Sequence, residues 1–417
     1  MTDSDSKQSN KNPWYPLFLT NFLSVFNDNL IKWLVIYVGV TWTIEDNKNT
    51  VVSIANALLV IPFIFFSPLA GKLSRKYSKR KIMIIGKIAE VPIVLVAITG
   101  FYFQNFIPVM AAILMMGLQS SLFSPSKYGL VKEIRGTEGI SFGTGLMEML
   151  AFIGVLSATI LASFISENYN LRYLSFAVLI PAFIGILSAI LIKANETETE
   201  KDNKESINPI KFIRHNYQFS KKIKGLNDAI FGSALFWLLG SLITMNLPIF
   251  CPARYSMNNT ETSIAMAIAA IGIAAGSVFI GLISHKKVRM AYVLIGTLGF
   301  ALSMLFLVVF NPEKEIFLIV LFIASATSGI FKIPLNSYIQ ANVKGRQLGD
   351  VLAFQNIMEF TLISFSAFLF WLINFLVKDN GLAIFLLSGI IALLAAIYYY
   401  LRVDEVKKDL KRMFKIS

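Results

Sequence analysis

Thiol and imidazole are scarce in this 417-residue chain. Its single cysteine, Cys251, excludes an intramolecular disulfide and any cysteine-based metal cluster. The two histidines, His215 and His285, fall in polar segments between hydrophobic runs, so neither is placed as a metal ligand or proton relay inside a membrane. No Gly-x-x-x-x-Gly-Lys-Ser/Thr segment occurs, which excludes a P-loop in this chain as the source of energy. No polar segment combines a nucleophile with a base, or offers a phosphate cradle, so neither catalysis nor a cofactor is expected. Charge is thin as well. Only 15% of residues are Asp, Glu, Lys or Arg, against about 25% in soluble domains.

What is present is apolar. Hydrophobic residues make up 55% and aromatics 13%, with 35 Phe. They gather in blocks of about 20, such as 51–69, 291–310 and 381–401, long enough as helices to cross about 30 Å of hydrocarbon. The blocks lack the period-two alternation of a membrane barrel. Twelve spans are expected, near 14–41, 51–70, 82–101, 106–127, 140–165, 172–192, 226–250, 262–284, 290–310, 315–340, 348–377 and 381–401.

The net charge of +13 does not point to nucleic acid, because the bases are scattered between spans. With the N-terminus in the cytosol, 30 of the 38 Lys and Arg fall on the inner side. Only Lys48, Arg172, Arg254, Lys314 and Lys378 lie outside, and Lys32, Lys87 and Lys332 lie within spans. That asymmetry follows the positive-inside rule and fixes an even number of spans. The polar N-terminal tail has no apolar region of the kind a cleaved signal carries, so the first span is expected to be retained. The domains are a tail at 1–13, a six-helix bundle at 14–193, a cytosolic linker at 194–225, a second bundle at 226–401 and a basic tail at 402–417. Within the linker, 210–219 reads equally as an amphipathic surface helix or as a solvated tether, and 403–414 reads more readily as a plain positive-inside anchor than as a short interfacial helix. The halves echo each other. Pro125 to Tyr128 with Met147 and Glu148 parallels Pro334 to Tyr338 with Met358 and Glu359, a repeat expected of carriers with a site between two halves.

Charges inside spans are costly and mark candidate sites. In the first span Asn27, Asp28, Asn29 and Lys32 lie within two turns, and Asp28 and Lys32 are spaced to pair on one face. An interhelical clamp and a substrate or gating site both fit. Glu148, Glu359 and Lys332 read equally as a gate or as headgroup contacts. On physical grounds Lys127, at the inner end of the fourth span, is expected to snorkel to the interface. Lys87 and Glu90 read as a structural pair.

Several segments resemble a known family. The loop from Gly71 to Lys81 (GKLSRKYSKRK) is similar to the signature after the second helix of the major facilitator superfamily, with Arg75 where that pattern has an acid and Ser78 where it has glycine. Phe26 to Asn29 (FNDN) with Lys32, Ser124 to Gly129 (SPSKYG), Gly145 to Glu148, Ile333 to Asn336, and Gln355 with Asn356 resemble the bacterial lysophospholipid transporter family within that superfamily. The resemblance implies an all-α polytopic protein of the major facilitator fold, two pseudo-symmetric six-helix halves working by alternating access in the bacterial inner membrane. It implies a lysophosphatidylethanolamine-like substrate carried inward for a cytosolic acyltransferase. It further implies a headgroup site drawn from Asn27, Asp28, Asn29, Lys32, Lys127, Tyr128, Glu148, Lys332 and Glu359, and gating at Gly71, Arg75 and Arg80. The expected partners are the lysophospholipid or another amphipathic substrate, membrane lipid and a cytosolic acyltransferase, with no nucleic acid, and the chain is expected to be a monomer. Two other readings stand beside it: a proton-coupled carrier of another solute, and a scaffold that recruits a cytosolic enzyme.

Overall fold

A computed structural model describes residues 14–42, 45–167, 169–196, 208–284, 288–377 and 381–414. The tail at 1–13, the linker stretch 197–207 and His285 lie outside the described residues. Fourteen α-helices account for the described chain: α1 (Tyr15–Tyr37), α2 (Glu45–Lys76), α3 (Lys79–Tyr102), α4 (Phe106–Arg135), α5 (Ile140–Glu167), α6 (Leu171–Ile190), α7 (Pro209–Lys221), α8 (Leu226–Tyr255), α9 (Asn259–Ile283), α10 (Ala291–Phe310), α11 (Lys314–Asn342), α12 (Gln347–Val377), α13 (Gly381–Arg402) and α14 (Asp404–Phe414). Twelve have 20 residues or more, and at 1.5 Å per residue each covers a hydrocarbon core. Eleven of these are also apolar enough to cross a membrane by composition. The exception is α1, where Asn21, Asn27, Asp28, Asn29 and Lys32 dilute the leucines and phenylalanines.

Helix α1 is nevertheless central to its bundle, packing on α5 and α6, while α3 packs on α4 and α6, and α2 on α4. Six helices later the same pattern returns: α8 on α12 and α13, α10 on α11 and α13, α9 on α11. The two sets of six are thus related by a pseudo-two-fold, and the contacts between them obey it too. Helix α5 meets α9, and α2 meets α12. Hydrophobic clusters fill each half separately, around Leu30, Val94 and Met116 in the first and around Phe236, Phe331 and Phe385 in the second.

Helices form in both segments, at 209–221, where a tether reads equally well from the sequence, and at 404–414, where a plain anchor is the simpler reading. α7 seats Phe212 in the core of the second half; it carries His215 on its exposed side, so this histidine sits on a helix and not in a loop. α14 lies under α10, where Asp409 accepts the amide of Met290 (2.7 Å) and Val406 is buried.

The halves are closed together on the face that carries α7, α14 and the α2–α3 and α11–α12 turns. Small residues allow the approach. A methyl on Gly145 would stand 2.6 Å from the Ser277 carbonyl of α9, and one on Gly71 would stand 2.6 Å from Asp350 of α12. Toward the opposite face the contact ends. Phe63 and Phe360 still stack at 4.2 Å, but apart from Ser366 every buried residue of α12 lies between Leu348 and Glu359. The outer half of α12 turns Leu369, Phe370 and Ile373 onto the core of its own half and leaves Phe368, Trp371 and Phe375 exposed.

Candidate functional site

A polar seam runs along the interface between the halves at mid-depth. On α4, Ser120, Ser124 and Tyr128 recur every four residues and so share one face. Each meets a different helix. Ser120 donates to Asp28 Oδ2 on α1 (2.6 Å), the Asn356 amide of α12 donates to Ser124 Oγ (3.0 Å), and the Tyr128 hydroxyl donates to Glu148 Oε1 on α5 (3.3 Å). From the second half, Lys332, Asn336 and Gln340 form the matching face of α11. The Lys332 ammonium lies 3.5 Å from Glu148 Oε1, and the Asn336 amide donates to that oxygen at 3.3 Å. Glu148 and Lys332 are both nearly inaccessible, with 3% and 2% of their surface exposed. A buried charge without a partner is strongly destabilising, so the pair accounts for its own burial.

Glu359 on α12 is held by neutral donors. Ser233 Oγ of α8 (2.5 Å) and Gln355 Nε2 (2.8 Å) both point at its Oε1. Gln355 and Ser233 also bond Asn336 Oδ1, at 2.7 and 2.9 Å. Asn336, Gln355 and Glu359, with Glu148, Lys332 and Trp237, line a small space of about 30 Å³ between α4, α5, α8, α11 and α12. Several polar atoms at this seam have no partner: Asp28 Oδ1, Trp237 Nε1, Gln355 Oε1 and Gln340 Oε1. Buried orphans of this kind are rare unless a ligand or water completes them. Both signs of charge, hydrogen-bond donors and acceptors, and contributions from both halves therefore converge on one space. The donor set, two carboxylates and one ammonium among amides and hydroxyls, suits a polar organic group better than a metal ion. Among the described residues no cluster of His, Cys, Asp and Glu has a metal-binding arrangement.

The sequence-derived site residues separate into three groups. Tyr128, Glu148, Lys332 and Glu359 line the space together. Asp28 and Lys127 lie beside it on the α1–α4 side. Lys127 does not snorkel to an interface; it is 8% exposed, with its ammonium over the Phe123 and Tyr128 rings at 5.7 and 5.2 Å. Its side chain turns inward because the α4 face that carries it packs on α1 and α5. The remaining three are turned elsewhere. Asn27 donates to Glu90 Oε1 (2.7 Å) and to the Val178 carbonyl (3.0 Å), Asn29 to the Val25 carbonyl of its own helix (2.8 Å), and Lys32 stacks over Trp33 at 5.2 Å. The Asp28–Lys32 pair allowed by spacing does not form; Asp28 Oδ2 accepts from Ser120, and the Lys32 ammonium lies over Trp33. Lys87 and Glu90 pair in the core of the first half, as expected of a structural pair, with Ser24 also bonded by Lys87.

The residues expected to gate lie toward the closed face. Arg75 Nη1 reaches Asp350 Oδ2 across the halves at 2.5 Å, with 8% and 2% of these residues exposed. Arg75 stands where the resembled signature has an acid, and its partner in α12 is an acid, so the charges are exchanged between the halves. Arg346 adds bonds to the Ser74 and Tyr77 carbonyls (3.4 and 3.0 Å) and an ion pair to Glu196 (3.5 Å), and Lys132 Nζ donates to the Val343 carbonyl (2.6 Å). Gly71 permits the α2–α12 approach. Arg80 does not reach the other half; its guanidinium donates to the Ile190 carbonyl of α6 (2.7 Å). Sequence reading missed Ser120, Ser233, Trp237, Gln340, Asp350, Arg346 and Glu196. All but three of these are uncharged, and nothing but spacing on a shared face marks them. Arg346 sits in what reads as a loop, Asp350 at the very start of an expected span, and Glu196 in what reads as a tether.

Comparison with known proteins agrees with this architecture. The pattern of the Major Facilitator Superfamily matches residues 17–367. A protein of Photorhabdus laumondii described as lysophospholipid transporter LplT is 24% identical over 360 residues, covering 82% of this chain and 84% of its own. Its counterpart in Yersinia pestis is 22% identical over 364 residues, with 84% of each covered. Among solved structures, the human organic anion transporter MFSD10 superposes with a TM-score of 0.75 at 15% identity, over 93% of this chain and 99% of that one. A bacterial homologue of ferroportin in an outward-facing state gives 0.68 at 14% identity, over 94% and 100%.

Proposed function

This chain belongs to the Major Facilitator Superfamily of membrane transporters, and on that premise we propose that it carries lysophospholipids across the bacterial inner membrane by alternating access. The observation that carries the reading is the mid-depth seam in which Glu148 of one half meets Lys332 of the other beside Glu359, Asp28 and Lys127. A zwitterionic headgroup needs a carboxylate for its ammonium and a cation for its phosphate, and charge-assisted bonds of both kinds are available here. Relatives over more than four fifths of the chain bear the name of lysophospholipid transporter, and that likeness supports the substrate class.

The excess of Lys and Arg on the closed face supports cytosolic termini, and with them an outward-facing state in which the site waits for substrate from the outer leaflet. The acyl chain stays in lipid as the headgroup enters, passing the exposed Phe368, Trp371 and Phe375 on the outer half of α12. Asp28, whose Oδ1 has no partner, takes part in headgroup capture. The carrier works as a monomer and delivers its product to a cytosolic acyltransferase.

The test is uptake of labelled lysophosphatidylethanolamine by proteoliposomes containing the native chain, Asp28→Ala or no protein. Saturable translocation that Asp28→Ala abolishes while the variant remains folded and inserted is the expected result. A well-folded native protein that moves no lysolipid refutes the reading and puts a proton-coupled carrier of another solute in its place.

A further inference from the structure

The exposed surface of α7 has two unlike sides. Phe212, Asn216 and Ser220, spaced by four, form the buried side of the helix. Opposite them Ile210, Arg214, Tyr217 and Lys221 follow at steps of four, three and four, so they share one exposed stripe. Lys211, Gln218 and Lys222 make up the other exposed side. Ile210 is large and apolar and yet 77% exposed. The stripe continues onto a membrane span. Tyr217 meets Phe231 of α8 edge-on at 6.5 Å, and Phe231 is itself 42% exposed. Five residues into α8, Phe231 lies about 8 Å from the end of that helix. Interfacial helices bury their apolar side to a depth of about 5–10 Å, so the stripe meets the lipid-facing surface at the headgroup boundary.

The charge of the stripe is unanswered. Helix α7 contains no acid, and among the described residues no ion pair holds Arg214 or Lys221. The Lys221 ammonium rests over the Tyr217 ring at 4.5 Å, which keeps it at the level of that ring. Helix α14 is different. It sets Asp404, Glu405 and Asp409 among its bases, with Arg412 paired to Asp409 at 3.7 Å and Lys407 bonded to the Leu401 carbonyl. On α7 two free cations alternate with two apolar side chains. A phosphate answers the cations through charge-assisted bonds, and acyl chains cover Ile210 and Tyr217. A zwitterionic lipid would also bring an ammonium among the bases, so a net negative headgroup fits better.

The stripe is preformed. The Asn208 side chain accepts the amides of Ile210 and Lys211 at 3.0 and 3.3 Å, Pro209 starts the helix, and Phe212 anchors it in the core of the second half. The same helix also packs on α2 of the first half. With Phe212 seated in the second half, α7 loses α2 when the halves part on this face.

We propose that the stripe binds an anionic diacyl phospholipid of the adjoining leaflet, with the phosphate on Arg214 and Lys221 and the chains against Ile210, Tyr217 and Phe231, and that the seated lipid braces α7 against α2 and holds this face closed. The inference does not depend on which solute is carried.

Ser74 of α2, fully buried against Gly349 of the other half, supplies the reporter. A Ser74→Cys thiol in a Cys251→Ala background is labelled by an impermeant maleimide on the basic face, in vesicles of phosphatidylethanolamine with or without phosphatidylglycerol. Phosphatidylglycerol should slow labelling severalfold in this parent and in Lys211→Gln with Lys222→Gln, and should have no effect in Arg214→Gln with Lys221→Gln. The two double variants lose equal charge from the same helix. Equal slowing in all three means that vesicle charge acts on the reagent or on the whole basic face, and overturns the site; so does the absence of slowing in the parent. A second measurement separates lipid from soluble phosphate. Phosphatidylglycerol added in detergent should raise the midpoint of thermal unfolding of the native chain, and about tenfold more of it should be needed for the same rise in Arg214→Gln with Lys221→Gln. Glycerophosphoglycerol, which has no chains, should raise neither. Equal stabilisation by that compound would assign the stripe to a soluble phosphate and overturn the lipid.

Discussion

Removing the Asp350 carboxylate should unlatch the closed face. Asp350 and Arg75 meet at 2.5 Å with 2% and 8% of their surfaces exposed. Deleting one partner of such a pair costs about 3–5 kcal/mol. The cost falls on the closed state alone, because when the halves part on this face Arg75 regains water. Arg346 and Lys132 still tie the halves through the Ser74, Tyr77 and Val343 carbonyls, so the lower end of the range applies. About 3 kcal/mol corresponds to a shift of roughly 100-fold toward the state open on this side. Ser74 reports it. The residue is fully buried against Gly349 of the other half, so a Ser74→Cys thiol in a Cys251→Ala background is shielded while the face stays closed. Labelling by an impermeant maleimide, applied to the basic face in inside-out vesicles, should accelerate strongly in Asp350→Ala. The exchanged variant, Arg75→Asp with Asp350→Arg, should recover much of the protection. Labelling of Asp350→Ala at the parental rate would refute the assignment of this pair as a latch.

Other perturbations follow from the same contacts. Gly145→Val should populate the same open state by a different route, since its Cβ would stand 2.6 Å from the Ser277 carbonyl and overpacking costs about 1–3 kcal/mol; Ser74→Cys labelling again measures it. Lys87→Met should lower the midpoint of thermal unfolding in detergent by stranding Glu90, whereas Lys87→Met with Glu90→Met should lose much less, because both charges leave the core. Burial pushes the Glu196 carboxyl up, but bonds from Ser78 Oγ and from the Arg80 and Lys79 amides outweigh it and hold the group below its ordinary 4.5. A carboxyl depressed in this way adds stability above its unfolded value and loses it as pH falls through the lower folded one. The stability gap between the native chain and Glu196→Gln should therefore be level above about pH 5 and shrink in more acidic solution.

The twelve-span architecture was legible because each span needs about 20 apolar residues and each cytosolic turn carries bases. The repeat linking Glu148 to Glu359 was legible too, and the two residues stand at equivalent places on α5 and α12. Pairing was not. Spacing places Asp28 and Lys32 on one face of α1, but the choice of Ser120 as partner depends on how α4 packs against that face. Lys127 illustrates the same gap: a lysine near a span end has water within reach, and only the packing of α4 on α1 and α5 turns it inward. Trp237 reads as one more aromatic in an apolar run, and its role emerges only from Lys332 reaching across from α11. Glu196 lies just beyond the last residue of α6 in a stretch that resembles a solvated tether, yet it caps the start of α3 and pairs with Arg346.

The low hydropathy of α1 has a bearing on how the protein is made. An acid or a base at the centre of a span costs about 2.5–3.5 kcal/mol during insertion, and α1 carries one of each with three amides. A nascent chain that ends after α1 has nothing to offset that cost. The partners arrive later: Glu90 from α3 for Asn27, Ser120 from α4 for Asp28, the Met147 carbonyl from α5 for Asn21 and the Val178 carbonyl from α6 for Asn27. Helix α1 is thus among the last of its half to be secured in the bilayer, and its commitment to the membrane waits on synthesis as far as α6.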